Sequence, residues 1–183
     1  MGKNTKTRLL SSDMWMRTYK GHKFRPFKPD KQVIDIEDIA HSLSNQCRFV
    51  GMTSEFYSVA QHSFHVSYAV PPELALDGLL HDSAEAYLGD MATPIKRHKK
   101  MKFYSFCEGR IYRKIAEKFG IPAQISPEVK AADLLLLATE ARDLIGSPIW
   151  ARGLEKLPTI IMPWPPKVAE RRFLERFKEL YGI

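Results

Sequence analysis

His81 and Asp82 stand side by side at the end of an apolar run, in GLLHDSAEAYLGD. Burying an unpaired charge at such a place is costly, and the cost disappears if both side chains hold a divalent cation. Two further ligand candidates lie in segments that otherwise read as buried helix: His62 in SVAQHSFHV and Asp133 in VKAADLLLLATEA. A lone histidine is most often a hydrogen-bonded core residue, and a lone aspartate most often faces solvent. The neighbours of Asp133, which are Ala131, Ala132 and Leu134 to Leu137, favour a buried and paired carboxylate instead. Together these residues make a two-His, two-Asp ligand set. Mixed imidazole and carboxylate donors suit Mn, Fe, Co, Ni or Zn. On an octahedral ion they leave positions open for water and a phosphate oxygen, which points to metal-assisted hydrolysis.

Other side chains are placed to take part. Glu85 follows Asp82 by three residues and His81 by four, which puts it on the same helical face as the pair. Asp90 comes directly after Gly89, where the helix should end. A helix C-terminus is an unfavourable place for a carboxylate, which mildly suggests a functional reason. The basic run Lys96, Arg97, His98, Lys99, Lys100 follows closely and suits an anionic substrate. His65 lies one turn beyond His62, and His41 and His22 lie further off; none of them fits the ligand pattern as well.

The elements that must position these residues are mostly helical. The alternation in MWMRTYKGHKFRPF, centred on Lys20-Gly21-His22, predicts a short hairpin ended by Pro26 and Pro29. From Asp35 the apolar spacing of Ile36, Ile39, Ala40 and Leu43 predicts a helix that stops near Asn45. Residues 46–57 read as a loop carrying Arg48 and Phe49. Ser58 is a good N-cap for a second helix reaching Ala69. A third helix is expected from Pro72 to about Leu88, closed by Gly89, followed by a loop to residue 95. A fourth covers roughly 101–119, and a fifth runs from Ser126-Pro127 to about Leu144. The proline-rich Met162–Pro166 segment is a stiff link to an amphipathic closing helix carrying Val168, Phe173, Leu174, Phe177 and Tyr181. Residues 1–12 are polar and expected to fray.

A chain of 183 residues with 44% apolar composition predicts one globular domain with a substantial core. Cys47 and Cys107 give neither a disulfide framework nor a CxxC zinc spacing, and fit a reducing cytoplasm. No apolar stretch approaches the roughly 20 residues that cross a bilayer, and no secretory signal is evident. The net charge of +7 invites a nucleic-acid reading. No helix-turn-helix, zinc-finger or stacking-platform signature accompanies it, so no stable nucleic-acid partner is expected.

The pattern H…HD…D resembles the HD-domain phosphohydrolase superfamily. The blocks CRFVGMTSEFYSVAQHS, LLHDSAEAYLGDMATPIK and VKAADLLLLATEARDL are similar to its 5'-deoxynucleotidase branch, above all to the small phage-type dATP triphosphohydrolases. The resemblance covers roughly residues 33–145. It implies an all-α HD-domain helical bundle with the small N-terminal β-hairpin: residues 1–30 as an extension, 33–145 as the HD core and 165–183 as the C-terminal helix. It also implies His62, His81, Asp82 and Asp133 as ligands of one divalent transition metal (Co, Zn, Mn, Fe or Ni), with Mg arriving on the substrate phosphates. Glu85 corresponds to the acid/base carboxylate, and Asp90 to a residue at the sugar or phosphate. Lys96 and Arg48 correspond to phosphate contacts, and Phe49 to an aromatic flanking the base. Many relatives carry Trp at that last position. The implied activity is dephosphorylation of dATP, dADP and dAMP to deoxyadenosine by attack of metal-activated water. A homo-oligomer acting in the cytoplasm, a host's if the gene is a phage's, goes with it.

Three other readings compete. A 5'-deoxynucleotidase would act on deoxynucleoside monophosphates alone. A low-turnover sensor would bind nucleotide without releasing phosphate. A nucleic-acid-binding module or exonuclease would show steeply salt-dependent DNA binding.

Overall fold

The computed structural model describes residues 14–182. The expected fraying of residues 1–12 lies outside the described residues. The rest is an all-α assembly decorated by one small hairpin. Strand β1 (Met16–Arg17) pairs antiparallel with β2 (Lys23–Phe24), Met16 opposite Phe24. The strands are shorter than the alternation suggests, and side chains rather than ladder bonds pin the hairpin down. Buried Asp38 accepts from the Lys20 amide at 2.6 Å and pairs with His22 Nδ1 at 3.2 Å. Phe24 is fully buried and stacks on Tyr87, with ring centroids 4.0 Å apart.

Helix α1 (Ile36–Ser44) is capped by Asp35, whose carboxylate accepts from the Glu37 amide, and it ends at Asn45 as its spacing predicts. Helix α2 (Val59–Ala69) starts at Ser58, whose hydroxyl accepts from the Gln61 amide at 3.1 Å. Helix α6 (Lys102–Phe119) ends at Gly120, and α7 (Pro127–Glu140) is capped by Ser126. Beyond Glu140 the α7 path widens into one π-helical turn, Ala141–Ile145, before Gly146 stops it. The closing helix α8 (Pro166–Tyr181) lays Ala169, Phe173 and Phe177 into the core. It packs on α1, α2 and helix α3 (Ala75–Leu80), and buried Ile111, Ile115 and Phe119 of α6 belong to the same cluster. A second cluster under α7 joins Val129 and Leu136 to Tyr57, Val66 and Ile161.

The largest departure from the expected pattern falls on the third helix, which is broken in two. Helix α3 (Ala75–Leu80) and helix α4 (Glu85–Leu88) are separated by a tight turn over residues 81–84. Within it the amides of Ser83, Glu85, Ala86 and Tyr87 bond three residues back instead of four. Two side chains help to hold this tightening, by taking carbonyls that the α-helical ladder would use. His81 Nδ1 donates to Gly78 O at 2.8 Å, and Ser83 Oγ donates to Leu80 O at 2.6 Å. The His-Asp pair therefore sits on tightened backbone, and the roughly 100° separation of a regular helix does not apply to it. Gly78 lets α3 lie close on α2: a Cβ there would come within 3.2 Å of the Ser67 backbone. Gly89 ends α4 at φ 85°, ψ 150°, a region that only glycine enters readily.

The expected loop after Gly89 contains a further short helix, α5 (Thr93–Lys96), with Pro94 in its first turn. No helix among the described residues is long and apolar enough to cross a membrane.

Candidate metal centre

Three segments bring the predicted ligands to one place. His62 comes from the middle of α2 and is fully buried; His81 and Asp82 come from the turn between α3 and α4; Asp133 comes from α7. His62 Nε2 lies 3.1 Å from Asp133 Oδ1 and 3.8 Å from Asp82 Oδ2. His81 Nε2 lies 3.1 Å from Asp82 Oδ2 and 4.0 Å from Asp133 Oδ1. His62, His81 and Asp82 form the tight group, with ligand atoms all within 4.8 Å of one another. Asp133 stands at its open edge, its side chain 43% exposed.

The donor set fits a divalent ion. The Nε2 atoms of both histidines are buried, and each lies 3.1 Å from a carboxylate oxygen without the alignment of a hydrogen bond, although each ring's Nδ1 is engaged. His81 Nδ1 donates to the Gly78 carbonyl, and His62 Nδ1 lies 2.6 Å from Glu140 Oε1. A carboxylate or carbonyl on Nδ1 fixes the ring and presents the Nε2 lone pair outward, as metal-ligating histidines require. The electrostatics agree that positive charge belongs here. Burial and Arg48 push the His62 pKa down, yet Glu140 and Asp133 outweigh them and raise it to about 9. Burial pushes the Asp82 carboxyl up, but His81, His62 and Arg48 hold it far below the ordinary carboxylate range.

Glu140 was not singled out in the sequence. Its carboxylate is fully buried and accepts from three sides: His62, Tyr57 Oη at 2.9 Å and Arg48 Nε at 3.0 Å. It lies seven residues after Asp133 on one helix, so two helical turns bring both carboxylates to one face. That spacing, in an apolar run, was the available signal. Arg48 is itself buried, and its guanidinium also reaches Asp82 Oδ2 at 3.6 Å. Its contacts tie two ligand-bearing elements together, so any phosphate would share a group already engaged with Glu140. Phe49 lies beside it, half-buried, with the guanidinium 5.5 Å from the ring centroid. Phe49 and Val50 both adopt left-handed backbone, at φ 53° and φ 55°. That conformation is strained for a bulky or β-branched residue.

Glu85, Asp90 and Lys96 lie near this group. Burial and the nearby Asp82 and Asp90 raise the Glu85 pKa to about 10, so its carboxyl carries a proton at neutral pH. Its Oε2 is buried without a partner, and Oε1 lies 3.6 Å from Lys96 Nζ. Lys96 also binds Glu108 at 2.6 Å. Asp90 is held by its own amide, which donates to Gln46 Oε1 at 3.0 Å; burial and Asp82 raise its pKa. His81, Asp82, Glu85, Lys96, Glu108 and Tyr112 line a hollow of about 350 Å³.

The remaining described histidines are occupied elsewhere: His22 with Asp38, His41 with Glu170, His65 with Gln61, and His98, whose Nδ1 accepts from the Lys100 amide. Gln61 Nε2 donates to Met162 O, and its Oε1 accepts from the Trp164 amide, so its N–H side faces His65 Nε2. Burial, then the charges of His62 and Arg172, lower the His65 pKa to about 4, although Glu140 opposes this. The unfolded chain therefore binds the extra proton first, and stability falls as pH drops from about 6.5 toward about 4. Between about pH 7 and pH 5 this residue should account for a loss of about 2 kcal/mol. Urea unfolding of the wild type and His65→Gln at both pH values measures it: the variant should lose less stability by about that amount.

No family model matches the chain. It is 43% identical over 171 residues to the uncharacterized protein YfdR of Escherichia coli K12, across 91% of this chain and 95% of YfdR. The chain belongs to the YfdR family. A second relative, an uncharacterized protein of Rhodobacter capsulatus, is 34% identical over 145 residues, covering 72% of this chain and 74% of its own. The YfdR match runs over nearly the full length of both proteins, so the family shares more than a local site.

Proposed function

We propose that this member of the YfdR family is a metal-dependent phosphohydrolase of deoxyadenosine nucleotides, of the HD-domain type, working in the cytoplasm. It converts dATP, dADP and dAMP to deoxyadenosine. The observation that carries this reading is the convergence of two buried histidine Nε2 atoms with Asp82 and Asp133, beside the proton-bearing carboxyl of Glu85. The sequence blocks that resemble the phage-type dATP triphosphohydrolases supply the substrate class.

In this reading His62, His81, Asp82 and Asp133 hold one divalent ion, which would polarise the phosphoryl group and acidify water. Water adds at the phosphorus next to the sugar, and the bond from that phosphorus to the 5'-oxygen breaks. The 5'-oxygen leaves and needs a proton, and Glu85 is the neighbouring group that carries one. Its carboxylate, once formed, faces the Lys96 ammonium and can take the proton that the attacking water gives up. Lys96 offers a mobile positive charge to the phosphate, while Glu108 holds it at the edge of the hollow. Asp90, whose amide is held by Gln46, would contact the sugar or the phosphate. Phe49 flanks the base.

Phosphate or polyphosphate release from a panel of deoxynucleotides tests the proposal, with metal-stripped protein resupplied with Co, Mn, Zn or Mg. The expected result is metal-dependent release of deoxyadenosine from dATP ahead of the other triphosphates. Consumption of monophosphates alone would make the protein a 5'-deoxynucleotidase. Nucleotide binding without turnover under every metal would overturn the enzyme reading.

A further inference from the structure

A second hollow, of about 530 Å³, opens beside the first and is lined by Thr93, Lys96, Arg97, His98, Lys99, Lys102 and Ser105. Lys96 and Ser105 line both hollows, so the two adjoin across these residues. Their electrostatics are opposite. The inner hollow carries the carboxylates of Asp82 and Glu108 beside the protonated Glu85, whereas no acidic side chain lines the outer one. Among the described residues, Arg97, Lys99 and Lys102 make no ion pair, and Lys96 is the lining residue that does. Unpaired cations around a concave surface repel one another and attract polyanions. The loop geometry keeps them there: α5 and the turn over Lys99–Met101 set the basic side chains around the mouth, with α6 as the far wall.

We infer that the outer hollow seats the second and third phosphates of a nucleoside triphosphate, so that Arg97, Lys99 and Lys102 set the preference for chain length. This rests on the phosphohydrolase reading above. A phosphorus reacting in the inner hollow places only its own oxygens among the ligands. The phosphates beyond it would meet Asp82 and Glu108 if they stayed inside, and meet unpaired cations once past Lys96. A monophosphate would leave the outer hollow unused. Cleavage next to the sugar then leaves inorganic tripolyphosphate spanning both hollows, with water as the only co-reactant.

The test compares the full-length protein with the triple variant Arg97→Ala, Lys99→Ala, Lys102→Ala, which changes exposed side chains alone. Binding of inorganic tripolyphosphate and orthophosphate is measured by calorimetry, and kcat/KM is measured for dATP and dAMP. The wild type should bind tripolyphosphate more tightly than orthophosphate. The triple variant should lose tripolyphosphate affinity by at least about tenfold, and kcat/KM for dATP by a similar factor, with dAMP turnover nearly unchanged. Equal tripolyphosphate binding by the two proteins would overturn the inference, and so would equal losses for dATP and dAMP. Tighter binding of a single-stranded oligonucleotide than of tripolyphosphate, abolished in the variant, would also overturn it and make the hollow a nucleic-acid groove. If no nucleotide is hydrolysed at all, the phosphohydrolase reading fails, while the tripolyphosphate measurement still decides the outer hollow.

Discussion

Replacing Glu85 with Gln should lower turnover by roughly 10²- to 10⁴-fold while leaving metal affinity and folding stability nearly unchanged. The reason for the clean separation lies in the protonation state. In the metal-free protein, burial, Asp82 and Asp90 raise the Glu85 pKa to about 10 and favour the neutral carboxyl. The amide replaces one neutral group by another of nearly the same shape, so the buried surroundings keep their packing and charge balance. What disappears is the ability to give a proton and take it back. Steady-state kinetics, a thermal melt and a metal titration on the same preparation check the claim. A variant that turns over normally would remove Glu85 from the chemistry. A variant that loses its metal would make Glu85 part of the ligand system.

The second large effect belongs to Glu140. Glu140→Gln should weaken metal binding by about 10- to 100-fold, because the partner that fixes the His62 ring loses its charge. Glu140→Ala should cost roughly 3–5 kcal/mol of stability, because it strands two buried cationic groups, the Arg48 guanidinium and the His62 imidazole. Calorimetric metal titration of the Gln variant and chemical unfolding of the Ala variant read the two effects separately. Unchanged metal affinity in Glu140→Gln would show that the backbone, and not the Glu140 carboxylate, orients His62.

The convergence of His62, His81, Asp82 and Asp133 was legible in the sequence because each is a charged or imidazole side chain inside an apolar helical run. Such placement is costly without a partner. The Ser58 cap was legible too, and Asp35 and Ser126, where helices were expected to begin, also accept a capping amide hydrogen bond. The break at His81–Ala84 was hidden, since the apolar pattern continues through Leu79, Leu80, Ala84 and Tyr87. Side-chain bonds to Gly78 and Leu80 accompany it, and no periodicity records them. Arg48 is another case. The resemblance implies a phosphate contact for it, while its burial against Glu140, which is 92 residues away along the chain, leaves no local sequence signal. The left-handed Phe49 and Val50 were also invisible, because neither residue type favours that conformation.

The central claim is that His62, His81, Asp82 and Asp133 make one metal site. Titration of Co or Mn into metal-stripped protein, with His81→Ala and Asp133→Asn beside the wild type, tests it most directly. The account predicts one ion bound per chain, lost in His81→Ala and weakened in Asp133→Asn. Equal binding by all three proteins, or none by the wild type, would contradict it.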